Sequence, residues 1–308
     1  MIRNFNGKDI EEVIRLWNEV TPHSIIDNRT FVKNILLDPN YDERGFFLYE
    51  YEGEIVGFIL AIIRRVPVDN GGKLDTDKGY INAIGVKCNQ KYTSVAIDSL
   101  ISAAEEYVYG FGDRRISVGG YTPNYFYPGI DSERAIILEA LKEHGYTEGA
   151  SHRSIRLDLS KYEYPEELRL LREERERDGF VFTTLSERYV TSLLSAYLPG
   201  WVHRFRRQLL ETMDYSKYHI ILKDGDVIGC TVYGDPYSAP ERFGPFGVNE
   251  KFRGLGLGKI LLAETLLSMK QDGLDFAWAQ STPMAGPATS IYDRAGFTTY
   301  RVFVSFSK

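Results

Sequence analysis

The stretch GVNEKFRGLGLGKILL, residues 247–262, joins the end of an apolar run to a helical run through a loop holding Arg253 and glycines at 254, 256 and 258. Such a loop suits an anion. The first amides of a helix point outward without intrahelical acceptors and carry the positive end of the helix dipole. Glycine lets a phosphate approach the backbone and tolerates unusual torsions, and Arg253 adds a fixed positive charge. Of three anion-binding patterns, two fail. GxxxxGK[ST] requires glycine where Arg253 stands and a hydroxyl where Ile260 stands, and GxGxxG, begun by Gly254 and Gly256, meets Lys259 in place of its third glycine. R-x-x-G-x-G is satisfied by Arg253, Gly256 and Gly258, with Gly254 as an extra. It describes a pyrophosphate cradle, in which a side chain at 256 or 258 would fill the space the anion needs.

A cradle of this kind needs a strand before it and a helix after it, and the chain writes that grammar twice. FFLYEYEGEIVGFILAI and YHIILKDGDVIGCTVYG each read as a hairpin around Gly53 or Gly225. A further strand follows each, ending at Val86 or Val248, and from there the copies align without a gap. Lys91 then matches Arg253, Ser94 matches Gly256 and Ala96 matches Gly258. Helical spacing of Ile97, Leu100, Ile101, Ala104 and Val108 in one copy, and of Leu262, Leu266 and Met269 in the other, predicts one core face on each following helix. Both copies close with a strand, a helix ending Gly145-Tyr146 or Gly296-Phe297, and a last strand. The pattern predicts an α/β duplication. We expect three parts: residues 1–160, a charged linker helix over 161–179 read as a solvated face, and residues 180–308.

Composition narrows the class. With 43% hydrophobic and 26% charged residues among 308, the chain reads as globular, and a formal charge of −6 without a basic aromatic stripe argues against nucleic acid as a partner. No apolar run reaches the roughly 18 to 20 residues of a spanning helix, and the first residues show no leader pattern, so the expectation is no membrane partner and a cytoplasmic location. Cys88 and Cys230 lie far apart without metal-ligand spacing, so both are expected as reduced thiols and no metal is expected. No residue pattern assigns an oligomeric state.

The R-x-x-G-x-G loop between strand and helix, together with RFGPFGV before it and ATSIYDRAGF after it, resembles the acetyl-coenzyme A site of the GNAT acetyltransferase family. The resemblance spans most of residues 180–308 and implies an α/β (α+β) fold: two tandem GNAT-like domains, each a mixed, mostly antiparallel twisted sheet flanked by helices. It implies acetyl-CoA as acyl-donor cosubstrate, held by Phe246, Gly247, Val248, Arg253, Gly254, Gly256, Leu257, Gly258 and Lys259. Such main-chain binding needs a bulge or splay, which Gly244 and Gly247 permit. It also implies an N-acetyltransferase, in which a primary amine of a small molecule attacks the thioester directly. Tyr292, four residues before Gly296-Phe297, then matches the family's proton donor to the departing sulfur. Ala285 departs from the asparagine often found seven residues before that tyrosine. For the base, Glu241 is the candidate and Asp235 the alternative.

Lys91, Ser94 and Ala96 replace the working loop residues of the first copy, and Leu141 stands where Tyr292 stands in the second. Residues 1–160 are therefore expected to be a degenerate, structural or acceptor-shaping copy, as the resemblance to tandem GNAT proteins also implies. YTPNYFYPGID, with Tyr121, Tyr125, Phe126 and Tyr127, reads either as a lid or as a satellite core. Acceptor recognition is placed by resemblance in YLPGWVHRFRRQLLETMDY, where Trp201, Phe205 and Arg204, Arg206 and Arg207 read either as a pocket or as core plus solvated face. A non-catalytic acyl-CoA binding or sensing protein is the alternative function.

Overall fold

The computed structural model describes residues 1–67, 74, 76–122, 124, 126–195, 201–235 and 239–308, apart from the side chains of Asp235 and Ala239. The chain divides into two compact units, residues 1–153 with 301–308, and residues 154–300. Its elements in order are β1 Ile2–Asn4, α1 Ile10–Val20, α2 Asn28–Phe31, β2 Phe46–Tyr51, β3 Glu54–Ile63, β4 Lys78–Val86, α3 Thr93–Tyr109, β5 Arg115–Val118, β6 Ile130–Asp131, α4 Ala135–Glu143, β7 Thr147–Asp158, α5 Glu166–Arg177, β8 Phe180–Thr184, α6 Glu187–Ser195, α7 Val202–Thr212, β9 Tyr218–Lys223, β10 Asp226–Asp235, β11 Ala239–Val248, α8 Leu257–Gln271, β12 Phe276–Pro283, α9 Pro287–Arg294 and β13 Thr298–Ser307.

In the first unit β1 to β4 pair antiparallel in sequence order, and β4 pairs parallel with β5. A sheet covered on both faces should carry a strand apolar along both sides, and β3 does. Ile59, Ala61 and Ile63 enter a core with α3 and α4, while Phe58, Leu60 and Ile62 enter another with α1 and α2. Tyr121, Phe126 and Tyr127 belong to that second core. Tyr121 is fully buried and donates to Asp38 Oδ1 at 2.8 Å, and Phe126 meets the Trp17 ring edge-on at 4.7 Å. These rings are a satellite core rather than a lid, while Tyr125 lies outside the described residues.

The second unit repeats the plan. β8 to β11 pair antiparallel in sequence order, and β11 meets β12 in parallel. One face carries α6 and α7 over Tyr218, Ile220, Leu222, Cys230 and Val232. Phe205 is core there with 2% exposure, Trp201 packs against the same cluster, and Arg207 pairs with Glu211 at 3.0 Å. The bland reading of that aromatic and basic helix holds for these residues. The other face carries α8 and α9.

Two features differ from the sequence expectation. Residues 301–308, read as the end of the second copy, join the first unit, where Phe303, Val304 and Phe306 are buried and Phe306 pairs with Val118. Three apolar side chains that complete those cores decide where the strand goes. The charged helix α5 is also more than a solvated face. Arg172 bonds Glu264 of α8 at 2.6 Å, and the Leu171 side chain reaches Gly256.

His219 of β9 lies on the α8 side, stacked 6.1 Å from the Tyr233 ring, with its Nε2 buried and without a partner. Burial lowers its pKa from 6.5 to about 4. The unfolded chain then binds the proton first as pH falls, so this stability is complete above pH 6.5, falls between 6.5 and 4, and is lost below. The loss amounts to about 3 kcal/mol. We expect the urea midpoint to drop between pH 7.5 and pH 4.5 by clearly more in the native protein than in His219→Phe. Equal drops in both proteins would remove His219 from the acid response.

Candidate active site

The site begins where β11 leaves the sheet. β11 follows β10 in register from Gly229↔Val248 to Thr231↔Phe246, and then the register shifts before Tyr233↔Phe243. The extra residue falls at Gly244 and Pro245, with Gly244 at φ 108° and open space where its Cβ would stand. Proline has no N–H to give the ladder and glycine alone takes that torsion easily, so the bulge is written in the residue types. On the other side the described register between β11 and β12 is the single pair Arg242↔Trp278. The expected irregularity is therefore present at Gly244, whereas Gly247 pairs regularly with Cys230.

Beyond Val248, Asn249 caps a short turn over Glu250–Phe252 by accepting from Lys251 N at 3.0 Å. Arg253 is extended and exposed, Gly254 takes φ 85°, and Gly256 takes φ 77° as the residue before α8. Gly256 has no side chain to cap the helix, and the first bonds of α8 run from Lys259 N and Ile260 N back to its carbonyl. Among the described residues, the N–H groups of residues 254–258 have no protein acceptor. Arg253 and Lys259 make no ion pair there either. A row of free amides with two unpaired cations beside it is an anion site in its chemistry, and this donor set fits a diphosphate.

The glycines divide the work differently from the expectation. Only Gly254 has open space at its Cβ position. A Cβ at Gly256 would lie 2.6 Å from Leu171 Cδ2, and one at Gly258 would lie 3.3 Å from Ile291 Cδ1 and 3.5 Å from Phe246 Cζ. Gly256 answers to its left-handed torsion and to α5 above it. Gly258 lets α8 close on β11 and α9. Leu257 is 1% exposed and anchors the first turn in the core.

That close approach brings Tyr292 in. Its ring lies 5.6 Å from Phe246, 5.8 Å from Phe243 and 5.6 Å from Phe297, and the residue is 5% exposed. The phenol makes no hydrogen bond among the described residues, and burial raises its pKa. It stays protonated at neutral pH with its proton uncommitted, as a general acid must. The sequence had singled out Phe246, Val248, Gly258 and Tyr292, and all four meet here. Phe243, Ile291 and Leu171 were missed. Leu171 was legible as part of an apolar pair inside a charged helix, and Phe243 as an inward residue of an alternating strand.

Glu241 is not joined to this group. It is half-buried between the pairs Tyr233↔Phe243 and Asp235↔Ala239, where the register shifts again, and it makes no hydrogen bond or ion pair among the described residues. The side chain of Asp235 lies outside the described residues. Among those described, no cluster of His, Cys, Asp and Glu can hold a metal, and no helix is long and apolar enough to cross a membrane. Cys88 and Cys230 are free thiols.

The first copy lacks the cradle. α3 begins at Thr93, so the residues aligned with 255 and 256 lie inside its first turn. Thr93 Oγ1 accepts from Gln90 N at 3.1 Å and donates to Lys87 O at 2.9 Å. Lys91 pairs with Glu52 at 3.5 Å, and Ala96 is fully buried.

Two substitutions separate ligand roles from structural ones. Tyr292→Phe removes a hydroxyl that bonds nothing, so its unfolding free energy should stay within about 0.5 kcal/mol of the native value. Gly256→Ala forces a side chain into a left-handed torsion against Leu171 and should cost about 1 to 2 kcal/mol. Chemical denaturation checks both, and a strongly destabilised Tyr292→Phe would mean that the phenol has a structural partner.

Residues 182–297 match the sequence model of the Acetyltransferase (GNAT) family. No curated protein matches the sequence. Among solved structures, the whole chain aligns with a fungal multi-domain GH3 β-N-acetylglucosaminidase described as containing a GCN5-related glucosamine N-acetyltransferase region, at 18% identity and a TM-score of 0.78, and spans 38% of that chain. It also aligns over its whole length with a GCN5-related N-acetyltransferase from Sphaerobacter thermophilus, at 14% identity, a TM-score of 0.72 and 95% of that chain. A tandem GNAT protein from the clavulanic acid biosynthesis pathway aligns at 13% identity, a TM-score of 0.67 and 98% of that chain. At these identities the likeness concerns the fold. Residues 182–297 thus form a domain belonging to the GNAT acetyltransferase family, in a chain that has the fold of tandem GNAT proteins.

Proposed function

We propose that the protein is an acetyl-CoA-dependent N-acetyltransferase that acetylates a primary amine of a small molecule, with residues 180–308 as the catalytic part and 1–160 as a degenerate copy. The observation that carries this reading is the row of unpartnered amides at 254–258 beside the uncommitted phenol of Tyr292. Acetyl-CoA supplies the acyl group as an activated thioester. Gly254, Gly256, Leu257 and Gly258 offer main-chain donors to its diphosphate, with Arg253 and Lys259 adding charge. Phe246, Gly247 and Val248 line the way from that cradle towards Tyr292.

The amine nitrogen forms the new bond to the carbonyl carbon, and the carbon–sulfur bond breaks. Tyr292 gives its proton to the departing sulfur, and Glu241, or Asp235 in its place, takes the proton lost by the amine. A fungal neighbour is named for glucosamine N-acetylation, and an amino sugar is an acceptor of this class. Ala285, where the resembled family often has asparagine, motivates the second reading, an acyl-CoA binding or sensing protein.

Two variants test both readings. Gly256→Glu should abolish calorimetric binding of acetyl-CoA, whereas Tyr292→Phe should retain it and lose about 10²- to 10⁴-fold in turnover. Unaltered binding by Gly256→Glu contradicts the cradle. Tight binding by the native protein without thiol release across a panel of amino sugars and small amines selects the binding protein.

A further inference from the structure

Helix α5 makes its contacts along a single stripe. Leu168, Leu171, Arg172 and Arg175 are half-buried, and every other residue of Glu166–Arg177 is exposed. Their spacing, i, i+3, i+4 and i+7, puts them on one face. Glu264, two turns into α8, meets this stripe. Arg172 Nη1 donates to its Oε1 at 2.6 Å, and the same guanidinium lies 5.7 Å from the Phe182 ring. Upstream of α5, Tyr162 O accepts from Lys270 Nζ at 2.7 Å. With Leu171 against Gly256, the segment is tied to α8 near its end, at its middle and at its start. All of these residues lie in the second unit.

The tie at the start falls where the anion cradle has least to hold it. Gly254 and Gly256 have no side chains to pack, glycine loses the most freedom on ordering, and no side chain caps the helix. Leu257, Ile260 and Leu261 fix α8 to the core. At Gly256 itself, the three nearest heavy atoms around the position of a Cβ all belong to Leu171, the closest at 2.6 Å. Leu171 packs on the same core cluster. Phe180, three residues after α5, meets Phe252 edge-on at 5.9 Å. Helix α5 and the strand it leads into thus bracket the turn, at Gly256 and at Phe252.

We propose that Leu171 and Arg172 are positioning residues for coenzyme binding: through Gly256 and Glu264, α5 holds the first turn of α8 in the arrangement that accepts a diphosphate. The inference rests on the acetyl-CoA reading and adds that affinity is set in part by a helix outside residues 180–308. A site that is ordered for a fraction of the time binds more weakly by that fraction. Truncating Leu171 removes the atoms nearest Gly256. A fall of the competent fraction to about a fifth or a tenth then weakens binding about five- to tenfold.

The test titrates the full chain with acetyl-CoA in a calorimeter and follows amide hydrogen exchange without ligand. Leu171→Ala should weaken acetyl-CoA about five- to tenfold and Arg172→Gln about threefold. The volume-conserving Leu171→Met should stay within about twofold of the native value. Leu170→Ala, 58% exposed on the same helix, should change nothing. In Leu171→Ala the amides of Lys259 and Ile260, which donate to Gly256 O, should exchange about tenfold faster, and by clearly more than the amide of buried Met269 in the same helix. Binding by Leu171→Ala equal to or tighter than native overturns the inference and leaves the coenzyme reading standing, as does equal acceleration of all three amides. No binding by the native protein overturns the coenzyme reading and this inference with it. If Leu171→Ala does not fold, Arg172→Gln decides, and undiminished binding by that variant is equally fatal.

Discussion

The first turn of α8 keeps its amides without acceptors, and much of the second unit exists to hold it that way. Helix starts are ordinarily capped by a side-chain oxygen, which would occupy the donors an anion needs. Here Gly256 cannot cap, and it enters the helix through a left-handed torsion. The helix stays in place because Leu257, Ile260 and Leu261 are buried. An aliphatic anchor thus carries an unsatisfied polar turn, and Gly258 lets that turn lie against Phe246 and Ile291. Through those contacts the requirement for free amides also fixes where Tyr292 stands.

The two copies show how little must change to lose such a site. Both β4 and β11 carry an extra residue at corresponding places, Asn82 and Gly244, four residues before Val86 and Val248. The bulge is thus a property of the repeated plan, and what differs is the residue it displays. Gly244 leaves the space empty, while Asn82 fills it with an amide held by Asn124. In the helix that follows, Thr93 satisfies its neighbours locally and the turn becomes regular. The same backbone irregularity then frames two kinds of recess, one open along the main chain and one small and polar.

Periodicity made the hairpins, the core faces of α3 and α8, and the order of elements legible, because each is a local consequence of side-chain alternation. The glycine loop was legible because few structures need that many glycines before a helix. What escaped depends on distant contacts. Nothing near residue 301 announces that Phe303 and Phe306 complete cores built by residues far earlier in the chain. The docking of α5 turns on Leu171 and on Arg172 finding Glu264, a partner 92 residues away. The packing around Gly258 escaped for a similar reason. Its neighbours Ile291 and Phe246 come from other elements, and a motif names the glycine without naming what approaches it.

Acid and base differ in how far a fold alone can define them. An acid needs its proton retained and uncommitted, and burial among three aromatic rings gives Tyr292, the proposed acid, both without any charged partner among the described residues. That environment belongs to the core, so it is present before any ligand arrives. A base must meet the amine, and its neighbours include the acceptor itself. Glu241 sits where β11 loses register with β10, outside the packed rings, with no side chain holding it in one orientation among the described residues. A carboxylate so placed is oriented by what binds beside it. On the proposed reading, the rigid half of this chemistry is written into strand, glycine and core, and the adaptable half lies with the acceptor that Glu241 would meet.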